Sequence, residues 1–567
     1  MYKFLKIKKV NLLAACLFAA SAYAQPNLTF NSVVTHAAAI SESPYKPLPG
    51  SVINHTQVMF EYPAVDDAVK YKVVVTELTF LTGKRDTIRK IVVQQNDATT
   101  ATLVNGLKFA TLYEWYYRAT DAAGKVLFKS RPMYFSVITA PFADPKKHRL
   151  AVQKPNEKAT GLITLDFMHS IANRAGKVVW TLPAIPDVFS DGHLVRDIRV
   201  SPQGTITLLT QKNIYELDVD GQVLWKGPND GKSAIAGNEN FHHDFKRLPS
   251  GNFMVLSNET VIKNAPGTND TVSVKYGTIV EYGFYGKPLW TWSSKNYFKD
   301  SEIFNGKDQS GKPQASLHLN AFSVDEKGEY VYAGFRDLNR ILKIEKKTGQ
   351  VVGDYGGGLF WHQHDANILP DGTIALFNND SVADPKISSS ALIIAQPATE
   401  GGKATVIWKL DCKTDPLTDG KSVKMGSMDL LPNGNYLINM GSLPRIVEVN
   451  KSKTILWQAA AESWSEQSKK WVPAAQYRTH YASSLYPCYF TGKCNTSADG
   501  KNLLLTVYNE GTEADKYVVT IQEKSRKMPA MEIAQVNITK AGNKTDLQVD
   551  LLPLKLAPGN YDVKISS

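Results

Sequence analysis

The chain has 567 residues, 43% of them hydrophobic and 21% charged, with a formal net charge of +11. That length calls for more than one domain, and that composition excludes a mostly disordered chain. Beyond the N-terminus no apolar run is long enough to cross a bilayer, which excludes a polytopic membrane protein.

Residues 1–24 read as a signal peptide. Lys3, Lys6, Lys8 and Lys9 form a basic start, Leu12 to Ala20 are mostly apolar, and Ala22-Tyr23-Ala24 is an A-x-A cleavage signal before Gln25. Leu13-Ala14-Ala15-Cys16 also resembles a lipobox. The apolar stretch before Cys16 is short, so a lipid anchor there is the lesser alternative. Either route leads out of the cytoplasm, with the periplasm as the expected destination. Losing four lysines and no acids lowers the formal charge from +11 to +7. That mild balance suits an anionic small substrate without demanding one, and no Lys/Arg run interleaved with aromatics suggests a nucleic-acid groove.

Residues 27–140 read as a small β-sandwich of immunoglobulin or fibronectin type. Val58–Tyr62, Tyr71–Val75, Lys90–Val93 and Tyr113–Arg118 are β-branched and aromatic runs bounded by Pro, Gly and Asp. Pro141, Pro145 and Lys146-Lys147 suggest a linker. From about 150 to 525 the chain repeats itself. Six segments end in a similar strand, at Gly176–Trp180, Gly221–Trp225, Gly286–Trp290, Gly349–Gly353, Lys403–Trp408 and Lys453–Trp457. Most follow a hydrophobic strand and, earlier, a hairpin with a Gly turn such as Pro370-Asp371-Gly372 or Pro432-Asn433-Gly434. One such unit is a four-stranded blade, and six make an all-β six-bladed β-propeller. The Trp positions are expected to pack between blades. Residues 526–567 are β-like again, with no assigned partner.

Cleavage leaves three cysteines. Cys488 and Cys494 are separated by five residues in a loop-like stretch, CYFTGKC. In an oxidising compartment the pair is expected to form a disulfide that closes a short loop. Cys412 is left over.

The inner strand of each propeller blade lines the central channel, so equivalent positions of successive blades converge. Just ahead of each hairpin turn stand Arg196-Asp197, His242-His243-Asp244, His318-Leu319-Asn320, His362-Gln363-His364-Asp365, Ser427-Met428-Asp429 and Thr479-His480-Tyr481. Six of the chain's 11 histidines fall in this set, which scattered surface histidines would not do. Taken singly, each reads most simply as a hydrogen-bonding core residue. Arg336 follows on the strand after His318 and Asn320; a channel-facing guanidinium there matches a tetrahedral oxyanion, the bland alternative being a pair with Asp337 or Asp365. Three histidines and a carboxylate could also hold zinc or copper, but no H-x-x-x-H or H-E-x-x-H pair occurs, and no metal is predicted.

At these residues the chain resembles the bacterial arylsulfate sulfotransferases, the PAPS-independent enzymes of the periplasm. The matching motifs are Phe241-His-His-Asp-Phe245 with Leu248-Pro-Ser-Gly-Asn252, His318-Leu-Asn320 with Arg336, and Trp361–Gly372 followed by Leu376-Phe377-Asn378-Asn379. The resemblance implies transfer of a sulfuryl group from a phenolic sulfate ester to a phenol acceptor, through a sulfohistidine and without a cofactor. It implies His364, in the Gln-His motif, as nucleophile and His318, Asn320 and Arg336 as contacts of the sulfuryl oxygens. It also implies one further catalytic histidine, His242 or His243, which strand alternation places on opposite faces. Thr479 and His480 carry over only as further pocket residues. A short-range disulfide is also common in that family. Asn378-Asn379-Asp380 departs from the family's usual Asp-Asn-Gly turn, a change expected to touch the hairpin more than the chemistry. Sulfuryl transfer, like phosphoryl transfer, passes through a loose transition state with charge on equatorial oxygens, so positioned donors count most. Two other readings compete: a non-catalytic propeller that binds an anionic ligand, and a metal- or quinone-dependent propeller enzyme. Monomer and homodimer both fit the sequence.

Overall fold

The computed structural model describes residues 2–4, 28–32, 43–80, 87–138, 144, 146–189, 194–210, 213–228, 241–304, 306–307, 313–380, 387–399, 402–413, 420–513, 515–523, 531–538, 544–556 and 559–566. The cleavage signal and Cys16 lie outside them. The described elements are strands with a few short helical turns, as the β-branched and aromatic runs predict. They divide into two compact units, residues 1–138 with 202–204 and 483–567, and residues 139–201 with 205–482.

In the first unit, a sheet runs in the order Ser51–Ile53, Met133–Val137, Thr111–Thr120, Lys70–Phe80, Thr87–Asp97, and Val58–Glu61 pairs with Ala101–Val104. Trp115, Phe60, Tyr113, Tyr117 and Phe135 fill its core. The predicted boundaries need correcting here. The repeat does not run to 525, because residues 483–567 cluster with the N-terminal part. They form two further sheets, one joining Phe490–Thr496, Asn502–Asn509 and Lys544–Asp550, the other built on Gly559–Ser566 and Asp515–Glu523. Leu28–Ser32 pairs in parallel with Gly559–Ser566 and so belongs to that last sheet rather than to the sandwich.

The predicted disulfide is absent: Cys488 and Cys494 are both buried and not joined. Cys494 lies inside the strand Phe490–Thr496, opposite Leu505. Four extended residues span roughly 13 Å, whereas bridged cysteines need Cα atoms within about 7 Å. The stretch read as a loop is a strand, and both thiols serve as apolar filling beside Phe490, Leu503 and Tyr517.

Among the described residues the second unit holds six antiparallel sheets of four or more strands, besides a two-stranded ribbon of Gly306–Lys307 and Pro313–Gln314. Four are simple four-stranded meanders, beginning at Val195, Phe245, Leu319 and His364. These are here the second to fifth sheets. In each, the third-to-fourth strand turn leads into the outer strand that the repeat predicted. Gly372 and Gly434, at φ of 82° and 79°, make the turns after the first strands of the fifth and sixth sheets, where a side chain would strain. The first sheet (Leu162–Leu165, Ser170–Asn173, Val178–Thr181) takes its inner strand from Tyr481–Ala482, at the far end of the unit. The sixth (Ser427–Leu430 to Ile455–Ser465) takes an added outer strand from His148–Lys154.

Contacts between sheets run in a circle. Outer-strand tryptophans donate their indole N–H to a carbonyl of the following sheet: Trp180 to Val219 at 2.8 Å, Trp290 to Lys346 at 2.9 Å, and Trp408 to Lys451 at 2.9 Å. Trp457 of the sixth sheet donates back to Arg174 of the first at 2.8 Å. Trp225 stacks on Phe253 with centroids 3.9 Å apart. The fourth sheet, which has Gly353 where the others have Trp, uses the Tyr355 hydroxyl on Gln396 Oε1 at 2.8 Å. At the inner ends aspartates do the same work. Asp244 accepts from Phe322 N at 3.0 Å, Asp365 from Met428 N at 3.0 Å and Asp429 from Tyr481 N at 2.9 Å. A backbone N–H on a buried carboxylate is worth about 1.5–3 kcal/mol, so these bonds lock neighbouring sheets where the histidines stand.

Candidate active site

The inner ends carry a buried set of charges. Arg478 sets Nη1 at 3.0 Å from Asp244 and 3.5 Å from Asp365. Arg199 lies at 2.9 Å from Asp197 and 3.1 Å from Asp244, and Lys246 Nζ is 3.6 Å from Asp244. His480 bridges Asp197 at 3.1 Å and Asp429 at 3.3 Å. Burial and Arg199 oppose a proton on His480, but Asp429 and Asp197 outweigh them and raise it to about 9. His480 is therefore a cation of the framework, which holds four carboxylates against Arg199, Lys246, Arg478 and itself.

Raised from an unfolded value near 6.5 to about 9, His480 contributes stability that is fully present below pH ~6.5. That contribution is lost as pH rises through about 9. Thermal denaturation should show Tm falling between those values by the equivalent of about 3 kcal/mol, and His480→Gln should flatten that slope.

Above this framework stand the imidazoles. His243 and His318 have left-handed backbones, with φ of 63° and 52°. Such values are uncommon outside glycine, and the resulting twist breaks strand alternation. His242 Nδ1 lies 2.7 Å from His243 Nδ1, and His243 Nε2 lies 3.1 Å from His318 Nε2. His243 thus meets His318, and His242 stands behind it. Loss of hydration pushes His242 down to about 4 and His243 well below the usual imidazole range, the neighbouring imidazoles adding to the effect on His243.

His364 opens the strand His364–Ile368 and is nearly fully buried. Its Nδ1 is 2.6 Å from Asn379 Oδ1. The Asn379 amide nitrogen donates to the carbonyls of Ser422 at 2.8 Å and Met425 at 2.9 Å, so its oxygen must face the ring and His364 carries its proton on Nδ1. On the other side Met425 N–H points at His364 Nε2 from 3.4 Å. Both partners fix one tautomer, with the lone pair on Nε2. Burial lowers His364 to about 3 against the pull of Asn379, and Arg336, Arg478 and His318 add to the lowering. The Tyr477 ring lies between the imidazoles, its centroid 6.1 Å from His243 and 6.2 Å from His364.

Arg336 joins this group. Its backbone N–H bonds His318 O at 2.9 Å, and its Nη1 pairs with Asp337, as the bland alternative had it. One carboxylate contact leaves a five-donor guanidinium able to take an oxyanion as well. Asn320 is used differently. Its amide donates to Gln363 O at 2.8 Å, one residue before His364, and its Oδ1 is buried without a partner among the described residues. Thr479 exchanges backbone bonds with the Ser427 hydroxyl at 3.1 and 3.0 Å. So the structure groups His242, His243, His318, His364 and Arg336, and puts Asn320, Thr479 and His480 into contacts that tie sheets together. Among the described residues no three His, Cys, Asp or Glu side chains are disposed to hold a metal ion.

Asn379, Tyr477, Asp337 and Arg478 escaped the sequence reading as site residues. The departures in Asn378-Asn379-Asp380 fall on its outer two positions, and Asn379, common to both patterns, holds the ring of His364. Asn379→Asp should therefore place a negative charge on Nδ1 and favour the protonated ring. The acid limb of any reaction at Nε2 should move up by roughly 1–3 pH units, readable in a pH–rate profile. Asn379→Leu should cost roughly 10–100-fold in that rate because the tautomer is freed, with a loss of Tm from the unpaired carbonyls of Ser422 and Met425.

A circle of antiparallel sheets with neutral imidazoles and a guanidinium at their inner ends defines an all-β protein whose centre suits an anionic group. Residues 203–462 match the family model of the arylsulfotransferases (ASST). No curated protein is significantly similar to the chain. Among solved structures, a protein of unknown function from Bacteroides caccae is 14% identical, covering 59% of this chain and 98% of its own, with a TM-score of 0.36. A streptogramin B lyase is 12% identical, covering 63% and 89%, with a TM-score of 0.33. The β-propeller domain of Cps50 from Myceliophteria thermophila is 10% identical, covering 49% and 73%, with a TM-score of 0.23. Likenesses this loose define neither fold nor function for the chain.

Proposed function

We propose that the second unit is a six-bladed β-propeller and that the protein is an arylsulfate sulfotransferase working by a ping-pong route. His364 Nε2 attacks the sulfur of a phenolic sulfate ester, the S–O bond breaks with its electron pair on the aryl oxygen, and a sulfohistidine forms. A phenol then attacks the same sulfur, the N–S pair returns to Nε2, and the phenol proton passes to a neighbouring imidazole. Arg336 neutralises the equatorial oxygens during both displacements. The reading rests on one observation above all: Asn379 and Met425 leave the lone pair of a neutral, buried imidazole on Nε2, inside the span that matches the arylsulfotransferases. A periplasmic location after removal of residues 1–24 belongs to the same proposal.

The test is incubation with 4-nitrophenyl sulfate, with and without phenol. Without acceptor, a stoichiometric burst of nitrophenolate and a gain of one SO3 group on the peptide containing His364 are expected. Steady turnover should need phenol. No burst and no adduct at any pH from 6 to 9 would overturn the reading, whichever range of ordinary imidazole titration is crossed.

A further inference from the structure

The imidazoles form a row that ends on a carboxylate. From His243 Nε2 the row passes to His318 Nε2 at 3.1 Å, and His318 Nδ1 lies 3.6 Å from Asp337 Oδ2. Asp337 is itself held by the Arg336 guanidinium and the Ser316 hydroxyl. Burial opposes its charge, yet the contacts with His318, Ser316 and Arg336 keep it well below the usual carboxylate range.

A carboxylate can only accept, so across 3.6 Å its negative charge favours the His318 tautomer with the proton on Nδ1, facing Asp337. That tautomer leaves the lone pair of His318 on Nε2. His243 must then carry its proton on Nε2 to donate to that lone pair, which leaves its Nδ1 to accept from His242 Nδ1–H. The side chain of His318 is 34% exposed, so its Nε2 is the point at which a hydroxyl can enter. A phenol oxygen placed there meets an N–H donor on one side and a lone pair on the other.

We propose that Asp337 sets the polarity of the His243–His318 pair, making His318 the base and His243 the hydrogen-bond donor to the aryl oxygen. This rests on the sulfotransferase reading and extends it. In the transfer half, the phenol O–H bond breaks and its proton goes to His318 Nε2. The new O–S bond forms as the N–S bond returns its pair to His364. In the sulfation half, the departing aryl oxygen accepts the His243 Nε2–H bond and takes a proton from His318 when that ring holds one. Asp337 is a positioning residue, since it acts through His318. His242 is one as well, since it fills the far nitrogen of His243.

The experiment separates proton transfer from everything else by the choice of acceptor. Enzyme charged with 4-nitrophenyl sulfate is mixed with phenol, which must lose its proton, or with pentafluorophenol, which is already ionised. Asp337→Asn should slow transfer to phenol by about 100-fold, and the penalty on phenol should exceed that on pentafluorophenol by about 30-fold. Asp337→Glu should recover most of the difference. Equal losses on both acceptors, or none, would overturn the proposal and leave the sulfotransferase reading intact. A burst absent from the unaltered protein would overturn that reading and this one together. Should the Asn variant not fold, the unaltered protein still decides. A solvent deuterium isotope effect near twofold is expected with phenol and none with pentafluorophenol, and identical effects would refute the base.

Discussion

Alanine at position 364 is expected to lower nitrophenolate release from 4-nitrophenyl sulfate by roughly 10⁴-fold or more and to abolish the SO3 adduct. The size of the loss follows from what the ring supplies. Its Nδ1 is committed to Asn379, and among the described residues its Nε2 accepts a long contact from the Met425 N–H at 3.4 Å, weak enough for an incoming sulfur to displace. Burial keeps the Nε2 lone pair unprotonated down to about pH 3, which means that every molecule near neutral pH is in the attacking form. No neighbour can replace it. His243 and His318 are turned toward each other at 3.1 Å, and His480 is held between Asp197 and Asp429. A direct, single-displacement transfer predicts a different result: a variant that still moves the sulfuryl group at a reduced rate, with no modified peptide from either protein. Intact-mass analysis of the quenched burst distinguishes the two.

Methionine in place of Arg478 is expected to cost about 3–5 kcal/mol of stability, because removing one partner of a buried ion pair strands the others. Arg478 is among the largest fully buried side chains of the chain, at under 2% exposure. It faces Asp244 and Asp365 and donates to Asn320 O at 2.7 Å. Without it two carboxylates would lie in a region of low polarity with only Arg199 and Lys246 beside Asp244. For a unit of this size the loss corresponds to a Tm lower by roughly 4–7 °C. A second substitution, Asp244→Asn, should restore part of it, since the coupled pair is non-additive. A Tm unchanged by Arg478→Met would show that the charges at the inner ends are solvated rather than mutually held, and would undo the account of His480 as well.

The four-stranded repeat was legible because its period is local. Apolar strands, Gly turns and a terminal Trp recur along the chain, and the backbone of each hairpin follows from those residues alone. The clustering of histidines was legible for the same reason: equal phase in a repeat means equal height in successive sheets. The boundary at 482 was not, since the strands beyond it look like any other strands, and only their pairing with Leu28–Ser32 and with each other assigns them. Nor was the state of the cysteines, because CYFTGKC has loop-like composition yet its residues from Phe490 to Cys494 pair with the strand Asn502–Asn509.

Within the centre, sequence determined which residue types meet: imidazoles, a guanidinium and a repeated aspartate at the head of the inner strands. Tertiary structure alone decided what each does. Left-handed residues at His243 and His318 defeat the alternation on which facing arguments depend, so the contact of His243 rather than His242 with His318 had no local signal. Asn379, Asp337 and Arg478 act through hydrogen bonds and ion pairs whose partners are mostly distant in the chain or on another sheet. A hydrogen bond fixes a tautomer only when donor and acceptor are within about 3 Å, and no pattern in one dimension encodes that distance.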